Sequence, residues 1–303
     1  MAEQHQKFNA PYVVVFIPAY DEEESIGRVI DVIKENYQGH ASRNYVLDLI
    51  VVDDGSTDRT VEIAHKKGVR KIIQHPRNKG LGASTRTAMQ TAFEMGADIA
   101  VKIDADFQHD PEDIDKVVAP VLEDRADVVF GTRFKGGLQY KMPLHRAWGN
   151  TFFSKLTGLL TGLDVTDGQT GLMAFHRRYL SRFTILRDYN ETQQLIIDSW
   201  GKGMRVIEVP VLFHKRTTGT SFISWRYPFK VIPSIVRTYV NVRPMRTFFI
   251  IGSIILFLGL IVGIRWVTGS TGVFGDTTAV ILIITGIQVI FFGFLADVVI
   301  HRR

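Results

Sequence analysis

Two stretches without a charged residue, 248–264 and 277–296, constrain this chain more than any other feature. Each is rich in Ile, Leu, Phe and Gly. Crossing the hydrocarbon core takes about 20 apolar residues, a length that each stretch reaches with its flanks. The sequence GSTGVFGD between them carries no Lys or Arg, whereas Arg243 and Arg246 precede the first stretch and Arg302 and Arg303 follow the second. The positive-inside rule then predicts an integral membrane protein with both ends in the cytoplasm and the short loop outside. A hairpin buried in a soluble core is the alternative. Paired stretches with a turn and an asymmetric charge distribution argue against it.

The residues ahead of the first stretch fit the same picture. Positions 209–275 hold no Asp or Glu, while Lys215, Arg216, Arg226, Lys230, Arg237, Arg243 and Arg246 interleave with Phe222, Trp225, Tyr227, Phe229 and Tyr239. Such a segment predicts interfacial helices on an anionic leaflet, each cation contributing about 1 kcal/mol. A basic, aromatic stretch also suits nucleic acid. Its position beside a predicted span selects the membrane, so nucleic acid is not an expected partner. The predicted organisation is a first domain over 1–220, amphipathic interfacial helices over 221–247 and a two-helix hairpin over 248–303. Two spans make a thin anchor, which leaves room for a homo-oligomer.

The first half alternates apolar runs with amphipathic segments. Residues 12–17, 49–52, 71–73, 99–103 and 128–130 read as buried strands, and 23–36, 60–67 and 83–95 as helices. Asp110 before Pro111 marks a further helix start. Strand–helix alternation predicts an α/β fold with a mostly parallel sheet, whose ligands bind beyond the carboxyl ends of the strands. The net charge of +5 is modest, and the absence of cysteine excludes disulfides and thiolate metal sites and suits a reducing compartment. The first twelve residues have no apolar run of the kind a cleavable signal needs.

Polar clusters sit at four of those strand ends: PAYDEE from Pro18, DDGSTD from Asp53, DADFQH from Asp104 and GTRF from Gly131. Singly, each reads equally well as loop solvation or helix capping, with Asp21, Ser56 and Asp58 as candidate caps. Together they point to a site. Asp104 and Asp106 leave a strand on alternate positions and can turn two carboxylates toward one hard cation, Mg2+ or Mn2+, with Gln108 as a third oxygen. Such an ion would act as a Lewis acid on a diphosphate leaving group. Positions 128–163 lack any acid but hold Arg133, Lys135, Lys141, Arg146 and Lys155, a distribution suited to phosphate, which Arg binds in bidentate fashion.

PAYDEE, VVDDGSTD, NKGLGAS and DADFQH together resemble the GT-A, Rossmann-like fold of family 2 glycosyltransferases. The Gln and His after DAD, the GTRF loop and the paired C-terminal stretches resemble its polyprenyl-phosphate branch, that of the dolichol-phosphate mannose synthases and polyprenyl-phosphate glucosyltransferases. The resemblance implies a nucleotide-sugar donor, GDP-mannose or UDP-glucose with UDP-N-acetylglucosamine still open, a polyprenyl or dolichyl phosphate acceptor, a divalent metal and inversion at the anomeric carbon. It implies that Pro18, Tyr20 and Glu22 border base and ribose, that Asp53 holds the base with Asp54 beside it, and that Lys79 and Gly80 belong to a loop over the donor. Asp104, Asp106 and Gln108 would hold the metal, with Asp106 and Arg133 as catalytic residues. Arg133 would bind the acceptor phosphate, assisted by Arg146. Arg216 would reach a phosphate with Ser221 nearby. The GQTG turn, 168–171, departs from the Ser-Gly of many relatives; it is expected near the sugar pocket and carries no assigned role.

Three other functions compete. A glycosyltransferase acting on a sugar hydroxyl would need a base, for which Glu191 is a candidate and a helix-start residue is the equally good bland reading. The QxxRW motif of processive members is missing from the comparable region, which reads NETQQ from Asn190 and then Asp198-Ser199-Trp200. A non-catalytic membrane scaffold and a nucleotidyltransferase on a similar sheet are the remaining two.

Overall fold

The computed structural model describes residues 10–37, 44–136, 144–214, 227–269 and 276–301. The chain divides into two compact units, Met1–Ile235 and Val236–Arg303.

The first unit is an α/β layer structure on one seven-stranded sheet. Its strands are β1 (Tyr12–Ala19), β2 (Val46–Asp53), β3 (Lys71–Gln74), β4 (Ile99–Lys102), β5 (Val128–Thr132), β6 (Met173–His176) and β7 (Val206–Pro210), in the order β3-β2-β1-β4-β6-β5-β7. Helices α1 (Ile26–Tyr37), α2 (Thr60–Lys66), α3 (Leu81–Glu94), α4 (Ile114–Leu122), α5 (Arg133–Gly136), α6 (Leu144–Thr161), α7 (Arg177–Leu180) and α8 (Glu191–Gly201) connect or cover them. The two-residue period of β1 builds both cores. Val13, Val15 and Ile17 pack with Ile26, Val29, Ile30 and Ile33 of α1 and with Ile114, Val117 and Val118 of α4. Val14 and Phe16 face the other way, onto Ala88, Met89 and Ala92 of α3 and Leu195 and Ile196 of α8. Each such fully buried aliphatic side chain contributes about 1.5–3 kcal/mol.

The five predicted strands are present; β1, β3 and β5 run further at their carboxyl ends, β2 at both ends, and β4 stops at Lys102. Asp110 caps a 3₁₀ turn, Pro111–Asp113, accepting from Glu112 N at 3.0 Å. β6 and β7 are additions. β6 runs antiparallel to both β4 and β5, with Lys102 opposite Met173. Its direction matters for the site: β1, β2 and β4 are mutually parallel, so their carboxyl ends share one edge of the sheet, and β6 starts where they end.

The second unit contains helices α10 (Pro244–Val267) and α11 (Asp276–His301); α9 (Tyr227–Val242) spans the division between the units. Two 24-residue stretches, Pro244–Val267 and Thr277–Ile300, contain 18-residue segments with mean hydropathies of 2.7 and 2.5 and are long and apolar enough to cross a membrane. They pack through glycine. A Cβ at Gly252 would meet Gly286 O at 2.7 Å, and one at Gly286 would meet Leu256 N at 2.7 Å. Small residues of this kind let two helix backbones approach closely in lipid, where dispersion replaces hydrophobic burial as the driving force.

Candidate active site

The strand order reverses between β1 and β4, and a cavity of about 540 Å³ opens at that carboxyl edge. Such a reversal leaves a crevice between helices on opposite faces, where α/β sheets bind ligands. Pro18, Tyr20 and Glu22 line the cavity from the end of β1, and Asp54 from the end of β2. Asp104, Asp106 and Gln108 line it after β4, together with Arg133 after β5. Eight of the thirteen residues expected at the site therefore share one cavity. Asp53 and Lys79 stand beside the wall rather than in it. The side chain of Arg146 and all of Arg216 and Ser221 lie outside the described residues.

Asp53 is buried, and its carboxylate accepts from Ser56 N at 3.2 and 3.3 Å, closing its own turn. Asp54 is committed to a different loop. It accepts from Gly80 N at 2.7 Å and Lys79 N at 3.1 Å and pairs with His75 Nδ1 at 2.7 Å. Gly80 has φ +99°, and a Cβ there would sit 2.6 Å from Asp188 O, so the loop needs glycine both for its backbone and for its seat against the segment before α8. Asp54 thus anchors the NKG loop to the sheet. Asp21 is not a cap: its Oδ1 accepts from Thr57 N at 2.8 Å, tying the first loop to the second. Asp58 does hold the start of α2, accepting from Thr60 N at 2.9 Å.

The DADFQH segment turns sharply. Phe107 has φ +55°, a conformation that costs a non-glycine residue about 1–3 kcal/mol. Its ring is held by the Arg28 guanidinium, 3.8 Å from the centroid, and stacks on His214. Gln108 N donates to Asp106 Oδ1 at 3.1 Å. The bend leaves Asp104, Asp106 and Gln108 all on the cavity wall.

Lys102, the last residue of β4, is 1% exposed, with Nζ 2.9 Å from Asp104 Oδ1 and 3.0 Å from Glu191 Oε1. Burial pulls its pKa down, but the two carboxylates outweigh that and raise it. For Asp104, burial works to raise the pKa, and Lys102, His109 and Arg133 together lower it. Asp104 Oδ1 is itself buried and lacks hydrogen-bond geometry, so its contact with Lys102 is an ion pair only. Glu191, first residue of α8, is buried in the same wall.

The turn before β6 closes the site. A Cβ at Gly171 would lie 2.0 Å from Asp104 Oδ2 and 3.0 Å from His109 Cδ2. Gly171 N donates to His109 Nε2 at 2.9 Å, which puts the ring proton on Nδ1. Burial pushes the His109 pKa down to about 4, opposed by Asp104 and reinforced by Arg133, so the ring is neutral. Arg133 is 8% exposed and forks onto Asp167, Nε to Oδ2 at 2.6 Å and Nη2 to Oδ1 at 2.9 Å, with Nη2 also on Gln169 O. Its planar face lies 4.5 Å from the Phe213 ring centroid. Arg133 therefore braces the GQTG turn as well as lining the cavity.

A divalent cation suits this donor set. Asp104 and Asp106 supply hard carboxylate oxygens and Gln108 a neutral one. Asp104 Oδ2 packs against Gly171, in the place that a Cβ there would need. Among the described residues no cluster of three or more His, Cys, Asp or Glu is placed to hold a metal.

The residues beyond the sequence-based set are Lys102, Glu191 as a paired group, His109, Asp167 and Gly171. Lys102 carried a visible signal, a lone charge in the apolar run IAVKI. Gly171 belongs to the GQTG turn expected near the sugar pocket, without a role, and it does line the cavity; Asp167 carried no signal, because its place depends on the reversed strand.

The chain is similar to known proteins. The family profile described as "Glycosyl transferase family 2" matches residues 14–184. The UDP-N-acetylglucosamine–dolichyl-phosphate N-acetylglucosaminyltransferase of Methanococcus voltae is 36% identical over 219 residues, 66% of this chain and 84% of that protein. The dolichol-phosphate mannosyltransferase of Pyrococcus furiosus is 29% identical, covering 74% of this chain and 63% of that protein. Among solved structures, glucosyl-3-phosphoglycerate synthase from Mycobacterium tuberculosis with Mn2+ and UDP-glucose matches at a TM-score of 0.60 and 20% identity, over 80% of this chain and 82% of that one; this likeness is one of fold. With a GT-A-like sheet, the DADFQH cavity wall and these relatives, the chain is a glycosyltransferase and belongs to glycosyl transferase family 2.

Proposed function

We propose that the protein transfers a sugar from a nucleotide-sugar donor to a polyprenyl or dolichyl phosphate at the cytoplasmic membrane face, with Mg2+ or Mn2+ and with inversion. The proposal keeps a catalytic domain over 1–220, interfacial helices over 221–247 and a membrane hairpin over 248–303. The Methanococcus voltae relative favours testing UDP-N-acetylglucosamine, left open by the sequence, beside GDP-mannose and UDP-glucose.

One observation carries the acceptor class: the other carboxylates of the cavity wall already have protein partners. Glu22 accepts from Ser25 Oγ at 2.8 Å, Asp188 pairs with Arg86 at 2.8 Å, and Glu191 pairs with Lys102 at 3.0 Å. A hydroxyl acceptor needs a base to take its proton. A phosphate monoester has a second pKa of about 6 and is already a nucleophile at neutral pH. Its oxygen attacks the anomeric carbon as the bond to the donor diphosphate breaks, giving a lipid phosphosugar and a nucleoside diphosphate. A bound ion would neutralise the diphosphate as it leaves.

In this reading the chain's own work is positioning and charge placement. Asp104, Asp106 and Gln108 would hold the ion, Asp54 and Gly80 would set the loop over the donor, and Arg133, from the acid-free segment 128–163, would meet the acceptor phosphate. Arg146, Arg216 and Ser221 are assigned to the phosphates on sequence grounds.

The test is direct. The purified full chain, reconstituted with dolichyl phosphate, is given labelled GDP-mannose, UDP-glucose or UDP-N-acetylglucosamine. Label is expected in an organic-soluble, acid-labile lipid with one of them, abolished by EDTA or Asp106→Ala. Label that reaches only a glycan hydroxyl acceptor would establish the competing reaction instead.

A further inference from the structure

The outward face of α11 holds one polar group in an unfavourable place. Gln288 carries the one side-chain amide in either 24-residue apolar stretch, and it is the twelfth residue of the 24 in Thr277–Ile300. At 1.5 Å per residue it lies about 16 Å from one end of that stretch and about 18 Å from the other, beyond the reach of its side chain. It also points away from α10. Gly286 and Ile290 pack against Leu256 and Gly252, and at 3.6 residues per turn a residue two positions from both stands about 200° round the helix. Gln288 is accordingly exposed, and it has no hydrogen bond among the described residues. Ile281, Ile284, Phe291 and Leu295 are exposed on the same side.

We infer that Gln288 marks a face on which two copies of this chain associate in the membrane, amide to amide. The inference rests on the membrane hairpin proposed above. The hydrocarbon core offers no water, and an amide there without a hydrogen bond is costly. Its two N–H donors and its carbonyl acceptor make it self-complementary. Copies of one chain insert with the same topology, so Gln288 meets Gln288 at the same depth across a two-fold axis, an isologous contact. A partner of different sequence would need its own polar group at that depth. The neighbours supply the rest of the seam: Ile281, Ile284, Gln288, Phe291 and Leu295 follow the alternating three- and four-residue spacing of a coiled coil, in which a single polar residue fixes register and strand number.

The chain has no cysteine, so single cysteines report the contact without background. Ile284→Cys and Leu295→Cys stand on the Gln288 face. Ile254→Cys is the control, exposed on α10 and two residues from both Gly252 and Leu256. The full chain is reconstituted into phospholipid vesicles at low protein-to-lipid ratio and oxidised with copper phenanthroline, and the disulfide-linked dimer is measured on a non-reducing gel. Dimer is expected at 284 and 295 at least fivefold above 254. Adding Gln288→Leu should weaken association about tenfold, the effect of one or two interhelical hydrogen bonds in lipid, while Gln288→Asn, which keeps an amide, should retain most of it. Leucine is at home in lipid, so loss of the dimer cannot come from failed insertion. Equal yields on the two faces, or yields that Gln288→Leu does not change, would overturn the inference. Monomer at every position would overturn it too. Carbonate extraction of the vesicles is read separately: a chain that washes off has no membrane hairpin, a failure distinct from an inserted chain that stays monomeric.

Discussion

Gly171→Ala separates the geometry of the proposed metal site from the stability of the fold. The backbone at 171 lies outside the left-handed region, so alanine meets no conformational penalty. The conflict is one of space. The new Cβ would stand 2.0 Å from Asp104 Oδ2 and 2.5 Å from Asp104 Cγ. Non-bonded heavy atoms settle at roughly 3.5 Å, so the carboxylate must retreat by about 1 Å or more. Asp104 cannot do this for free, because Oδ1 is paired with Lys102 at 2.9 Å and the whole group rotates together. Overpacking of this kind costs about 1–3 kcal/mol, which a domain with two extensive cores survives. A displacement of about 1 Å at a reacting centre costs about 100-fold in rate. Gly171→Ala is therefore expected to fold with a native circular dichroism spectrum, to bind Mn2+ more weakly than wild type, and to lose about 100-fold in kcat in the lipid-phosphate assay. Activity within threefold of wild type would refute the argument, because the carboxylate would then be free to move without consequence.

Three further perturbations follow from the same geometry. His109 has a folded pKa of about 4, below the unfolded value of about 6.5, so the stability it confers is present above pH 6.5 and is lost as pH falls toward 4, by about 1.4 kcal/mol per unit; urea titrations at pH 7.5, 5.5 and 4.5 should show this slope reduced in His109→Gln, and equal slopes would count against it. Asp167→Asn leaves the buried Arg133 guanidinium without its carboxylate and should cost about 3–5 kcal/mol in urea unfolding, whereas a loss under 1 kcal/mol would mean the fork contributes nothing. Asp54→Asn keeps one acceptor oxygen for three donors, and the loosened NKG loop should raise the donor KM about tenfold with a smaller change in kcat; a pure kcat effect would place Asp54 elsewhere in the reaction.

The half of the cavity built by β1, β2 and β4 was readable from sequence for a physical reason. Parallel strands with helical crossovers deliver every carboxyl end to one edge, so PAYDEE, DDGSTD and DADFQH had to converge once the alternation was recognised. What could not be read was which carboxylates had ligands to meet. Asp53 and Asp54 look alike in the sequence, yet one closes its own turn and the other clamps a loop 25 residues away in the chain. Arg133 looked like a phosphate binder and is also a brace on Asp167, a partner 34 residues distant.

The other half depends on one strand running backwards. β6 is antiparallel to β4 with Met173 opposite Lys102, so the residues just before β6 come to face those just after β4. Gly171 and Asp104 each lie two residues beyond that pair, and this alone brings them together. Nothing in GQTG announces it, because a four-residue strand such as MAFH has no period long enough to declare its direction. Lys102 is the counterexample. A charge inside IAVKI contradicts the burial of its neighbours, and a buried lysine must have carboxylates within reach. Asp104 stands two residues later, and the second partner had to come from another element. Glu191, a candidate base on sequence grounds, is that partner, and in the proposed reaction this pairing makes it a counter-charge rather than a base.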